Sequence, residues 1–304
     1  MKIVYAFVKS ISKDHPIQQI CNVLQVKRSC YYEWNKNESQ PPNPQNKMME
    51  QKVIAIFTEN KRRYGIRRII AELKHQNLNA SPYKVRKYLK DNGLKAIQPR
   101  SFVPKTTNSR HPYPISPNHL KEIGFPETIN NVWVGDITYI PMAGGKFRYL
   151  SVWMDLCSRR IVGWDLQDHM RESLVTASLQ KALGTRKIPP GLMVHSDRGG
   201  QYAGKKFREI LRGKNITQSM SDADNPYDNA NMESFFGRFK TELLEGGAFD
   251  NAEDSHTEIF EFIEMYYNPK RLHSSIGYLS PNSFEIKLEL AINKNYGPPI
   301  KAAC

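Results

Sequence analysis

The sequence predicts a mixed α/β sheet covered on both faces, preceded by small all-α units with a helix-turn-helix outline. Three observations carry this. Apolar residues recur at helical spacing up to about residue 93, strand-like runs begin at Val132, and a proline-rich stretch separates the two regions. The composition of the 304 residues fits folded domains, with 39% hydrophobic, 11% aromatic and 24% charged residues, and excludes a disordered or low-complexity chain.

In the first region, Ile17, Ile20, Cys21 and Leu24 follow Pro16, a residue suited to a first helical turn. A break at Gln25-Val26 precedes a second short helix carrying Lys27, Arg28, Tyr31, Tyr32 and Trp34. The stretch Glu38 to Gln45 contains Pro41, Pro42 and Pro44 and reads as a linker that cannot continue a helix. The outline then recurs. Val53, Ile54, Ile56 and Phe57 mark one helix, and Ile66, Ile69, Ile70 and Leu73 mark another. Ser81-Pro82 caps a third that turns Val85, Tyr88 and Leu89 inward, ends at Gly93, and presents Lys84, Arg86, Lys87 and Lys90 outward. A helix entering a DNA groove needs such a face.

The charge agrees. Residues 1–120 hold 22 basic and 7 acidic residues, net +15, whereas residues 121–304 hold 22 and 23, net −1. So uneven a distribution favours a phosphate-bearing partner over mere solubility. Gln98 to Pro126, with six prolines among basic residues, reads as an extended tether.

The second region begins with Val132–Ile140, Lys146–Leu156 and Arg160–Leu166, expected as an antiparallel meander. A helix over Arg171–Leu183, a strand ending near Asp197, a helix around Gly204–Arg212, a strand at Ile216–Met220 and a long helix from Asn229 to Glu245 follow. The four cysteines form no CxxC pair, no signal-peptide pattern opens the chain, and no apolar run approaches the ~20 residues of a membrane span. A reducing cytoplasmic setting is expected, with no membrane partner.

Three acids carry the candidate chemistry. Asp136 interrupts a β-branched and aromatic strand, where a carboxylate without a partner costs several kcal/mol. Asp197 ends the next long strand, and Glu233 flanks the stripe Met232, Phe235, Phe236, Phe239 and Leu243. Converging carboxylates repel unless a cation joins them, and all-oxygen ligands select magnesium or manganese. Two such ions can activate a hydroxyl and stabilise the leaving oxygen of a phosphodiester. A calcium loop from Asp222 to Glu233 fails, because Pro226 and Tyr227 stand where a side-chain oxygen and a glycine are needed.

The order Asp136, Asp197, Glu233, with thirty-five residues between the last two, resembles the DDE signature of retroviral integrases and bacterial insertion-sequence transposases. The words Trp133-Val134-Gly135-Asp136-Ile137-Thr138-Tyr139, His195-Ser196-Asp197-Arg198-Gly199 and Asn225-Pro226-Tyr227-Asp228-Asn229-Ala230-Asn231-Met232-Glu233-Ser234 are similar to the OrfB-type transposase subunit. So are Tyr64-Gly65-Ile66-Arg67-Arg68-Ile69 and Tyr267-Asn268-Pro269-Lys270-Arg271-Leu272-His273.

The resemblance implies a ribonuclease H-like core in which Asp136, Asp197 and Glu233 are catalytic and hold two Mg2+ ions, replaceable by Mn2+. Thr138, His195 and Asn225 would support that site. Arg28, Arg67, Arg68, Lys84, Arg86, Lys87, Lys90, Arg198 and Lys240 would contact DNA. It implies cleavage and joining at terminal inverted repeats by 3′-hydroxyl attack on target DNA, self-association on DNA, and a possible OrfA partner. No zinc site is expected. A catalytically silent DNA-binding regulator and a ribonuclease H-like nuclease remain the alternatives. The expected organisation is a helix-turn-helix-like segment at 1–37, a second DNA-binding domain at 48–97, a basic linker at 98–126, an integrase core with a helical extension at 127–285, and a tail at 286–304.

Overall fold

The computed structural model describes residues 1–39, 43–98, 113–222, 229–245 and 247–295. The chain divides into two compact units, with the boundary between Lys95 and Ala96.

In the first unit, α1 (Lys2–Ile11), α2 (Ile17–Val23) and α3 (Arg28–Ser39) close around Tyr5, Val8, Ile20, Cys21 and Tyr31. The helix α1 was not expected from the sequence; its buried positions, Tyr5 and Val8, are too few to announce a period by themselves. The break between α2 and α3 is made by Gln25 at φ 53°, a left-handed conformation that ends a helix. The proline linker is shorter than expected. α3 runs to Ser39, and α4 (Pro44–Glu59) starts on Pro44. A first-turn proline lacks only an N–H that would have no helical partner, and Asn43 accepts a hydrogen bond from the Gln45 N–H at 2.9 Å. α5 (Ile66–His75) and α6 (Pro82–Asp91) pack with α4 and bury Val53, Phe57, Ile69, Leu73, Val85 and Leu89. Ser81 caps α6 as expected, accepting from the Lys84 N–H at 3.3 Å.

The second unit is built on a five-stranded sheet ordered β3-β2-β1-β4-β5. β1 (Val132–Pro141), β2 (Phe147–Asp155) and β3 (Ile161–Gln167) form the antiparallel meander, and β4 (Met193–Ser196) and β5 (Thr217–Met220) run parallel to β1. Parallel neighbours require crossovers. These are α8 (Glu172–Thr185), and then α9 (Gly200–Ala203) with α10 (Lys205–Gly213).

Alternation along the strands sends side chains to two cores. Val132, Val134, Leu150 and Val152 face α11 (Ala230–Leu244), which contributes Met232, Phe235, Phe236 and Phe239. Trp133, Trp153 and Val194 face α8 to α10 through Leu179, Tyr202, Phe207 and Leu211. Each fully buried side chain of this size contributes roughly 1.5–3 kcal/mol. α12 (Ala252–Phe260) continues as a π-helix over Glu261–Tyr267, and α13 (Pro281–Asn295) follows, so the helical extension passes beyond residue 285.

Residues 99–112 of the expected tether lie outside the described residues. Its later part is docked, not extended free. The Met220 N–H donates to Pro117 O, Ser219 Oγ accepts from the His119 and Leu120 N–H groups, and the short α7 (Leu120–Ile123) follows. This docking occupies polar groups of β5 that an edge strand would otherwise expose.

Candidate active site

β1 is the central strand, and Asp136 lies four residues into it. The parallel pairing with β4 ends at Gly135 opposite Ser196, so the next step of the same register sets Asp136 beside Asp197. Sixty-one residues of sequence separation become one strand spacing, about 5 Å. Gly135 is required here, because a Cβ on it would stand 2.5 Å from the Trp153 ring.

The two carboxylates act on each other. Burial pushes the Asp136 carboxyl up to about 8, and the charge of Asp197 adds to the rise, with a smaller contribution from Glu233. Hydrogen bonds from the Ile137 N–H, 2.7 Å from Oδ1, and from the Asn229 side chain oppose it. Asp197 Oδ1 accepts from the Gly199 N–H at 3.0 Å. Both acids open onto a cleft of about 450 Å3 whose walls include Tyr139, Gln201 and Tyr202. Burial, and then the charges of Asp136 and Asp197, hold the Tyr202 phenol well above its ordinary range, so it stays protonated.

The helix α11 supplies the remaining groups. Asn229 precedes its first residue and would ordinarily cap it, but its side chain is directed to Asp136 and makes no capping bond. Glu233 lies in the first turn, where the helix dipole favours an acid, and is exposed. Lys240, two turns on, is half-buried; burial lowers its ammonium while the charge of Asp136 opposes that fall. Both Glu233 and Lys240 are therefore close enough to Asp136 to act on it electrostatically. Among the described residues, no three His, Cys, Asp or Glu side chains form a ready metal-binding group. The structure thus sets Asp136 and Asp197 together and leaves Glu233 on the rim.

The other expected residues are dispersed. Thr138 is buried two positions beyond Asp136. His195 is fully buried between β4 and β5, its Nδ1 2.9 Å from Ser219 Oγ and its Nε2 3.1 Å from Ser221 Oγ. Arg198 Nε donates to Ser221 O at 2.6 Å and meets Asp222 at 3.5 Å. Asn225 lies outside the described residues. In the first unit, Arg67, Arg86, Lys87 and Lys90 are exposed. Arg28 donates to Gln18 at 3.2 Å, Lys84 to Asn46 at 3.3 Å, and Arg68 lies over the Tyr64 ring.

Residues 126–226 match the integrase core domain family, residues 233–288 match a second integrase core domain family, and residues 44–102 match an HTH-like domain. The chain is 36% identical over 285 residues to Transposase InsF for insertion sequence IS3A of Escherichia coli (strain K12), covering 93% of this chain and 98% of that protein. The chain belongs to the IS3 family of insertion-sequence transposases.

A second member of such elements, the transposase for insertion sequence element IS904 of Lactococcus lactis, is 38% identical over 241 residues, covering 79% of this chain and 94% of that one. Among solved structures, a chain of the simian T-cell lymphotropic virus intasome is similar at TM-score 0.45 and 17% identity, covering 77% of this chain and 73% of that chain. The catalytic core domain of BIV integrase gives 0.41 and 16%, covering 55% and 99%. The core of this transposase-family chain is of the integrase type, built on a five-stranded mixed sheet, with an HTH-like region before it.

The sequence reading missed Asn229 and Tyr202. Asn229 sits four residues before Glu233, and only its failure to cap α11 reveals its direction. Tyr202 carries no local signal, since its burial beside the acids depends on how α9 packs between α8 and α10.

Proposed function

We propose that this chain is a divalent-metal-dependent polynucleotidyl transferase that cleaves and joins DNA at the terminal inverted repeats of its own insertion sequence. The observation that carries the reading is the adjacency of Asp136, in the middle of the central strand β1, and Asp197, just past the end of the parallel strand β4, where the charge of Asp197 raises the cost of charging Asp136.

The donors fit a hard cation. They are all oxygens, they repel one another, and the Asn229 Oδ1 beside them is buried without a hydrogen-bond partner among the described residues. Asp136, Asp197 and Glu233 would hold Mg2+, or Mn2+ in its place. When bound, two such ions lower the cost of charge on the attacking and leaving oxygens of a phosphodiester.

The chain's own groups position that chemistry. Asn229 and the Ile137 N–H orient the Asp136 carboxylate, and the Gly199 N–H orients Asp197. Lys240 places a partly desolvated ammonium beside Asp136, where a phosphate would gain from it. In the first step water attacks the phosphorus at the element end, a new P–O bond forms as the P–O3′ bond breaks, and the departing 3′-oxygen takes up a proton to become a free hydroxyl. In the second, that hydroxyl forms a new P–O bond to the target, the target's own P–O3′ bond breaks, and the departing 3′-oxygen takes up a proton.

The exposed α6 face of Lys84, Arg86, Lys87 and Lys90, with Arg28, Arg67 and Arg68, would supply end recognition. Joining two ends requires self-association on DNA, and an OrfA product is the fitting further partner. Purified chain with terminal-repeat duplex and Mg2+ should yield nicked and joined strands, and none with EDTA. Asp197→Asn should abolish both products while binding persists. Products formed by that variant at the wild-type rate would refute the assignment.

A further inference from the structure

Residues 121–304 are near neutral, yet one helix of the core departs from that balance. α10 reads Lys-Lys-Phe-Arg-Glu-Ile-Leu-Arg-Gly from Lys205 to Gly213. Phe207 and Leu211 are buried against the sheet, which decides the face left outward. Lys205, Arg208, Glu209 and Arg212 fall at i, i+3, i+4 and i+7, a single stripe.

That stripe lines a second cleft of about 240 Å3. Tyr113 and Lys205 border both this cleft and the one beside the acid pair, so the two are neighbours. Asp136 and Asp197 line the first cleft, Arg208 and Arg212 line the second, and Tyr113 and Lys205 are shared by both. Glu209 is offset by Lys205 at 3.9 Å. Arg208 and Arg212 form no ion pair among the described residues, and Arg208 is half-buried in the wall of the groove. A solvated basic helix has no reason to be set beside a carboxylate cleft; a track for a polyanion does.

We propose that this groove carries the phosphate backbone of the DNA strand that runs to Asp136 and Asp197, with Arg208 and Arg212 each meeting a phosphate. Four residues of helix separate the two guanidinium stems by about 6 Å, within reach of neighbouring phosphates of one strand. The contact reads backbone charge, not base sequence. This assignment rests on the DNA strand-transfer reading above.

The test uses the full chain and two fluorescent 30-base-pair duplexes, one of arbitrary sequence and one of the element's terminal sequence. Binding is titrated from about 0.05 to 0.5 M NaCl. Losing two phosphate contacts should reduce the magnitude of the log–log salt slope by about 1.8 and weaken binding roughly tenfold or more at 0.1 M. Arg208→Glu/Arg212→Glu should do this. Lys206→Glu/Lys214→Glu, the same charge change on exposed residues of the same segment off the stripe, should move the slope less than half as far. If the first pair melts early, Arg208→Gln/Arg212→Gln replaces it, with the same expected slope change.

A loss confined to the terminal duplex assigns the groove to the element end, and a loss confined to the arbitrary duplex assigns it to the target; either supports the proposal. Equal slope changes in the two pairs, or none in the first, would overturn it. Wild-type cleavage with Mg2+ is measured in parallel. Its absence would count against the strand-transfer reading, while an unaltered salt slope would count against the groove.

Discussion

Arg186 grips Glu285 with two parallel hydrogen bonds, Nη1 to Oε2 and Nη2 to Oε1, both 2.8 Å long, across ninety-nine residues of sequence. Arg160 Nη1 and Ser158 Oγ add contacts to the same carboxylate at 2.7 and 2.8 Å. This cluster ties α13 to the loops around β3 and α8. Glu285 is only 4% exposed.

A pH dependence follows from that cluster. Burial alone would raise the Glu285 carboxyl, but the hydrogen bonds and charge of Arg186, with Arg160 and Ser158, outweigh it and hold the group below its ordinary value. An acid depressed in the folded state contributes stability above its unfolded pKa, about 4.3, and loses it as pH falls through the lower folded value. Glu285→Gln should therefore lower the melting temperature at pH 7 and flatten the decline between pH 5 and 3. Stranding Arg186 and Arg160 costs about 3–5 kcal/mol. Melting curves across that range check both effects; an unchanged acid limb would remove Glu285 from the account.

Arg271 and Glu242 form a second buried pair, with Nη2 2.6 Å from Oε1 and Nε 2.9 Å from Oε2. Burial opposes the Arg271 charge, yet Glu242 more than restores it and raises the guanidinium. The pair anchors the later half of α11, the helix that carries Glu233 and Lys240. Arg271→Met should destabilise the fold by about 3–5 kcal/mol, because Glu242 is left charged and buried. Glu242→Leu/Arg271→Met should recover most of that loss. Denaturant titrations of the double-mutant cycle measure it, and additive losses would contradict the pairing.

Gly163 lies where a Cβ would stand 2.5 Å from the Ser178 carbonyl oxygen in α8. The obstacle is helix backbone, so it cannot yield by a rotamer change. Gly163→Ala should cost about 1–3 kcal/mol. Gly184, within α8 and with open space around it, is the control; Gly184→Ala should be neutral or stabilising by up to about 1 kcal/mol. Equal melting temperatures for the two variants would contradict the packing.

The acid pair makes the metal measurable without catalysis. Millimolar Mg2+ should raise the wild-type melting temperature over an EDTA control, since a ligand that prefers the folded state stabilises it. Asp197→Asn should lose most of that increment. Asp136→Asn should raise the melting temperature in EDTA, because it removes a buried carboxylate that its neighbours oppose. A metal increment retained by both variants would place the cation elsewhere.

Much of this was legible before any coordinates. Strand alternation around Asp136, glycines behind Asp197 and the aromatic stripe of α11 are local patterns, and local patterns survive in a one-dimensional string. The helix-turn-helix outline also survived, down to the Ser81 cap. What failed was local reasoning applied to nonlocal facts. The proline stretch before residue 120 looked like a free tether because proline breaks helices, yet Pro117 and His119 bond to β5 across about a hundred residues. For His195, expected to support the site from two residues before Asp197, the local pattern gave no partners; the sheet supplies them as Ser219 and Ser221.

By itself, then, the order of residues determined which elements form, which faces are apolar, and which acids are costly enough in their positions to demand a purpose. Folding alone decided which of those acids lie side by side. The parallel register of β1 and β4 sets Asp136 next to Asp197, the direction of Asn229 links α11 to that pair, and the burial of Phe207 and Leu211 turns the arginines of α10 toward the neighbouring cleft. The reason is range. Propensity and periodicity act over a few residues, whereas charge repulsion and strand pairing act between groups that only chain closure brings within a few ångströms.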